Sequence, residues 1–227
     1  PSLGLILSER SVRGENREDN VDYNIQRLGL WITYNQRSAI SREEWRKLIA
    51  ETVSMPEKPR IYMGIKYAKG TSNVSLAAAV KLADGSIFVE AIDCRPTREG
   101  NAWMMPYLLN PHVAGIIIDG ANGQTILADE MKQAGIKKKP VFPKVGDIIE
   151  ANSMFETAVL SGIIKHSDQP SLEQIASNCE HRSIGSNGGF GYVSILVGAD
   201  ISLLDAVLLA YWLCATAKEK KKQIINY

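Results

Sequence analysis

The stretch Gly115-Ile116-Ile117-Ile118-Asp119-Gly120-Ala121-Asn122-Gly123 decides the reading of this chain. Its isoleucine run has no polar alternation, the pattern of a strand buried on both faces. The run ends in a carboxylate, then a glycine-rich turn, then an amphipathic segment. A parallel strand that ends in Asp before a turn into a helix sets that carboxylate at the C-terminal edge of a sheet, where open α/β folds keep their sites. Asp119 is therefore the first candidate site residue. The plainer alternative is a turn or helix-capping aspartate.

Working outward, Ile61, Met63, Ile65 and Tyr67 alternate with Tyr62, Gly64 and Lys66, which predicts a first strand. Residues 74–83 and 86–92 predict a second and third, joined at Asp84-Gly85, a dipeptide typical of two-residue hairpins. A helix is expected over 102–109, before the isoleucine strand. After it come a helix over 124–134 closed by Gly135, a short strand at Val141-Phe142 and a helix over 147–161. Ser171-Leu172-Glu173-Gln174 has the spacing of a capping box opening a short helix. Residues 181–197 predict a loose hairpin about Asn187-Gly188, and Ser202 opens a last apolar helix. Near the start, Ser41-Arg42-Glu43-Glu44 is another capping box, with a helix expected to about Val53. Pro56 and Pro59 then suggest a boundary: 1–58 as linker and helical lead-in, 59–227 as the main domain. The expected class is α/β, a mixed sheet of three antiparallel strands followed by parallel ones, flanked by helices.

Composition narrows the function. With 45% hydrophobic and 22% charged residues the chain is an ordinary globular protein. Its net charge of +1 gives no global case for nucleic acid, so any such case rests on local basic clusters. Cys94, Cys179 and Cys214 form no C-x-x-C pair, which argues against a structural zinc site or disulfide framework and for a reducing compartment. The opening PSLGLILSER lacks a basic n-region, so no signal peptide is expected. The longest apolar run, 203–215, is broken by Asp205 and is too short to span a bilayer.

A second acidic pair, Asp200 and Asp205, is expected to return to the edge that carries Asp119. Asp205 falls one turn into an apolar helix, where an unpaired carboxylate is costly. Its alternative is a capping-box role with Ser202. Asp200 competes with it, and Asp205 is favoured.

The order of elements is that of the RNase H-like fold, and several motifs resemble one family, the large subunit of tailed-phage terminases, over nearly the whole chain. The segments 23–31 and Ile40-Ser41-Arg42-Glu43-Glu44-Trp45 look like the join between that family's ATPase and nuclease. Ile116 to Gly120 is similar to the strand of its second carboxylate. Ala199-Asp200-Ile201-Ser202-Leu203-Leu204-Asp205-Ala206 is similar to its last acidic motif. The resemblance implies an Mg²⁺- or Mn²⁺-dependent endonuclease domain, with Asp119 and Asp205 (or Asp200) as metal ligands. Such ions prefer hard oxygen ligands, and a pair of them activates water and stabilises the leaving oxygen of a phosphodiester. It also implies concatemeric double-stranded DNA as substrate during genome packaging in the cytoplasm of the infected bacterial host. The portal protein and the small terminase subunit are the implied partners.

Two departures stand out. No G-x-x-x-x-G-K-[ST] occurs, so the family's ATP motor is not in this sequence, and 1–58 is read as the lead-in from an absent ATPase domain. The family's first strand usually reads Gly-x-Asp; here it reads Gly64-Ile65-Lys66. The Lys66 ammonium either takes a metal's place between Asp119 and Asp205, or holds the scissile phosphate, or is a solvated strand-end lysine. Asp93, two strand spacings (roughly 10 Å) from the first strand, is a weaker substitute ligand. For DNA contact the candidates are Lys66, His181, Arg182 and Lys144, with Lys137, Lys138 and Lys139 beside the last. His112 and His166 are read as structural. The rival functions are a binding module that docks DNA or the portal without cutting, and a resolvase or integrase relative that prefers branched DNA.

Overall fold

The computed structural model describes residues 38–218, apart from Thr71, Asn187 and Val197. The 23–31 segment of the expected join therefore lies outside the described residues. Strands β1 (Ile61–Tyr67), β2 (Asn73–Lys81) and β3 (Ile87–Pro96) form an antiparallel meander. β4 (Val113–Asp119) pairs parallel with β1, and β5 (Ile164–His166) pairs parallel with β3, giving the order β4-β1-β2-β3-β5. β4 is the expected isoleucine strand. β5 has no counterpart in the sequence reading, because three residues are too few for a period-2 pattern to register.

The alternation in β1 separates two cores. Ile61, Met63 and Ile65 pack with Met104, Leu108, Leu127 and Met131, the last four from a helical turn ending in α2 (Met105–Leu108) and from α3 (Gln124–Gln133). On the other face Tyr62, Ala77 and Ala79 meet the long apolar helix α6 (Ser202–Thr216) and Phe155 of α4 (Val145–Leu160). Helices α1 (Arg42–Arg46) and α5 (Pro170–Ala176) and the hairpin β6 (Cys179–Ile184)–β7 (Gly189–Ser194) complete that layer.

Several local expectations are corrected. The β2–β3 connection is a three-residue loop: Leu82 N–H donates to Ser86 O, and Gly85 takes φ +87°. Val141 makes only an isolated parallel bridge to Ile117 rather than a strand. The Ser41 capping box is formed, yet the helix it opens stops at Arg46 instead of near Val53. No box forms at Ser171. α5 begins two residues earlier, at Pro170, and its N-cap Gln169 spends its side-chain amide on the N–H and C=O of Ala91 in β3, at 2.9 and 2.8 Å. Glu173 of the same segment binds Arg42 Nε of α1 at 2.5 Å.

Residues of the 1–58 lead-in belong to the core packing. Ile40, Trp45 and Leu48 are buried in the α6-side core. His166 stacks on Trp45 with centroids 4.4 Å apart and bonds to the Trp45 carbonyl through Nε2 at 2.9 Å, a structural setting for this histidine.

Candidate active site

Register brings the first two site residues together. Lys66 of β1 is paired with Asp119 of β4, each near the C-terminal end of its strand. The third arrives on α6. A Cβ on Gly64 would lie 2.1 Å from Ala206 O and 2.6 Å from Ala210 N, so the helix backbone rests directly on β1. That contact sets Asp205, the residue before Ala206, above the strand ends. Lys66 Nζ donates to Asp119 Oδ2 and lies 3.6 Å from Asp205 Oδ2. The three side chains are 16–22% exposed.

The electrostatics follow from this burial. Burial pulls Lys66 down, but Asp205 and Asp119 outweigh it, so the ammonium is held above the ordinary lysine value. Burial likewise pushes Asp205 up, to about 6, against the opposing pull of Lys66. A carboxyl raised in this way holds a proton in the folded chain between its ordinary 3.8 and about 6, where the unfolded chain has lost it. Its contribution to stability therefore falls as pH rises through that window. Asp205→Asn is expected to melt no lower than wild type at pH 8, with the difference shrinking towards pH 5. Thermal melts at both pH values check this, and a variant that is markedly less stable at pH 8 would refute the burial argument.

Ser202 does not take the capping role expected of it, and Asp200 has hydrogen-bond partners of its own. Ser202 does not cap α6; its hydroxyl bonds to the buried Ser75 hydroxyl at 2.7 Å, so Asp205 is not part of a capping box. Asp200 does the capping instead: Oδ1 accepts from Ser202 N–H at 2.8 Å and Oδ2 from Asn73 Nδ2 at 3.3 Å. Asp93 is held by Arg95 Nε at 2.7 Å and by its neighbour's N–H, within β3 rather than after it.

Lys66, Asp200 and Asp205 line a cleft of about 940 Å³ together with Lys69, Asn73 and Arg182, whereas Asp119 and Asp93 are not among its lining residues. Arg182 enters it from β6, with Nε donating to Tyr192 O at 3.3 Å. His181, on the alternate side of the same strand, binds Glu156 of α4 at 2.7 Å and does not line the cleft. Lys144 is exposed at the start of α4, also away from the lining residues. Lys69 and Asn73 went unnoticed in the sequence. Their signal was positional: the β1–β2 loop must pass over the strand end that holds Lys66. The glycines after Asp119 serve packing as well as access. A Cβ at Gly120 would lie 2.6 Å from Tyr67 Cβ, and one at Gly123 would lie 2.3 Å from the Tyr67 ring.

The donor set does not fit a two-metal centre. Among the described residues no group of three His, Cys, Asp or Glu is arranged to hold a metal ion. An ammonium group lies against the two carboxylates that would have to share one. The described helices include none long and apolar enough to cross a membrane.

No protein-family model and no curated protein matches the sequence. Solved structures do match. The HK97 bacteriophage large terminase shares 16% identity over 93% of this chain, with a TM-score of 0.58. The large terminase nuclease from thermophilic phage G20c with bound magnesium shares 13% over 77% of this chain and 97% of its own, with a TM-score of 0.55. The nuclease domain of the large terminase subunit gp2 of bacterial virus Sf6 shares 11% over 80% of this chain and all of its own, with a TM-score of 0.54. This chain spans about half (52%) of the HK97 protein. It has the RNase H-like fold of terminase nuclease domains, a mixed five-stranded sheet flanked by helices.

Proposed function

We propose that this chain is the nuclease-type domain of a phage terminase large subunit, engaging concatemeric double-stranded DNA during genome packaging in the cytoplasm of an infected bacterium. The observation that carries the reading is the convergence of Asp119, Asp205 and Lys66 on one strand edge beside the Arg182 cleft, on a fold shared with terminase nucleases. Arg182 and Lys69, which line the cleft, supply positive charge for a phosphate backbone, an interaction independent of base sequence and weakened by salt. The portal protein and the small terminase subunit are the partners this role entails.

The finer reading is Mg²⁺- or Mn²⁺-dependent endonuclease cutting, with Asp119 and Asp205 the residues that would carry it. The ion pairs of Lys66 favour a second reading, a domain that docks DNA and cuts weakly or not at all. Supercoiled plasmid incubated with Mg²⁺, Mn²⁺ or EDTA, alongside Asp119→Ala, separates them, with a gel shift on linear duplex run in parallel. Metal-dependent nicking that disappears in the variant supports cutting. Duplex binding without nicking supports docking. A folded protein that neither binds nor nicks duplex DNA would sink both, and binding confined to branched DNA would point to a resolvase-like role.

A further inference from the structure

We propose that the Lys66 ammonium is the resident cation of the carboxylate site and shuts a divalent metal ion out of it. The inference rests on the geometry of the site and deepens the docking reading above. The position is built by three constraints. Strand register puts Lys66 beside Asp119, the Gly64 contact puts α6 on β1, and Asp205 thereby comes within 3.6 Å of the same nitrogen. An ammonium offers three donors and no acceptor, so here it donates to Asp119, pairs by charge with Asp205 at 3.6 Å and can ligate nothing.

Charge points the same way. Divalent-ion affinity rises with the number of charged oxygen ligands and the rigidity of the site. Two carboxylates and one ammonium leave a net charge of about −1, and Arg182 lining the same cleft lowers the negative potential further. Among the described residues no reserve ligand stands by. Asp200 has one oxygen on the Ser202 N–H and the other on Asn73, and Asp93 is bound to Arg95. A metal ion entering this site would have to displace Lys66 from a pocket where the lysine side chain is only 19% exposed. Mg²⁺, which sheds its water reluctantly and demands octahedral oxygens, is the poorer competitor of the two ions.

Replacing the lysine by a carboxylate should then create the site that the wild type lacks. Mn²⁺ binding, followed by calorimetry and by loss of the free-ion paramagnetic resonance signal, is measured without DNA. Wild type is expected to bind Mn²⁺ no better than Asp119→Ala. Lys66→Asp is expected to bind it at least about tenfold tighter than wild type, and Lys66→Asp combined with Asp119→Ala to lose that gain. Saturable wild-type binding that Asp119→Ala abolishes would overturn the proposal. So would a folded Lys66→Asp that gains no affinity. Should Lys66→Asp not fold, Lys66→Gln removes the charge alone and should still bind more tightly than wild type. Because no nucleic acid is present, failure of the DNA reading would show in the gel shift while these titrations stood unaffected.

Discussion

Gly64→Ala should lower stability by about 3 kcal/mol, at the upper end of what overpacking usually costs. The added methyl would fall 2.1 Å from Ala206 O and 2.6 Å from Ala210 N, both backbone atoms of α6 that cannot swing aside as a flexible side chain would. The helix must lift off β1, and the whole α6-side core with it. For a domain of this size the loss corresponds to a fall in Tm of roughly 6–12 °C. Gly146→Ala is the matched control. It lies in the first turn of α4 with no atom within 4 Å of its added Cβ, so its Tm should stay level or rise slightly. If Gly64→Ala melts within a couple of degrees of wild type, α6 does not rest on β1 as described. The support for Asp205 above Lys66 would go with it.

Trp45→Ala is expected to cost about 3–5 kcal/mol, the usual range for emptying a large aromatic site. Trp45 is fully buried, stacked on His166 and tilted against Phe155 at 6.5 Å. Its loss removes the plug that joins α1 to β5 and α4. Trp45→Phe should cost much less, because an aromatic ring is kept and the indole N–H, buried without a hydrogen-bond partner among the described residues, disappears. Denaturant midpoints give both values, and limited proteolysis should show residues 38–50 becoming cleavable in the alanine variant. A loss below about 1 kcal/mol would mean that this segment is a dispensable lead-in. A boundary at residue 58 would then describe the folded unit.

The two cases mark what could be read from local pattern. Alternation in β1, the isoleucine run of β4 and the apolar α6 identified the principal strands and the last helix, because each is long enough for its period to exceed the noise. Asp119 was readable for the same reason: a carboxylate at the end of a doubly buried strand has one place to go. Capping boxes were less dependable. Ser41 formed one, whereas Ser171 and Ser202 did not, since Gln169 found Ala91 and Ser202 found Ser75, partners 78 and 127 residues away. Short-range spacing carries no record of such long-range competitors.

By itself the sequence determined the meander, the parallel strand that follows it and the set of acidic residues from which a site could be built. Tertiary structure alone decided which of them meet. Asp205 rather than Asp200 faces Lys66, because Asp200 is consumed in capping α6 and the Gly64 contact fixes how that helix lies on the sheet. The same packing gave Lys66 its partners. A lysine at a strand end is ordinarily free in water; here register with Asp119 and the close approach of α6 enclose its ammonium between two carboxylates. The strength of such an ion pair depends on separation and on exclusion of water, and both are set by elements far apart in the chain.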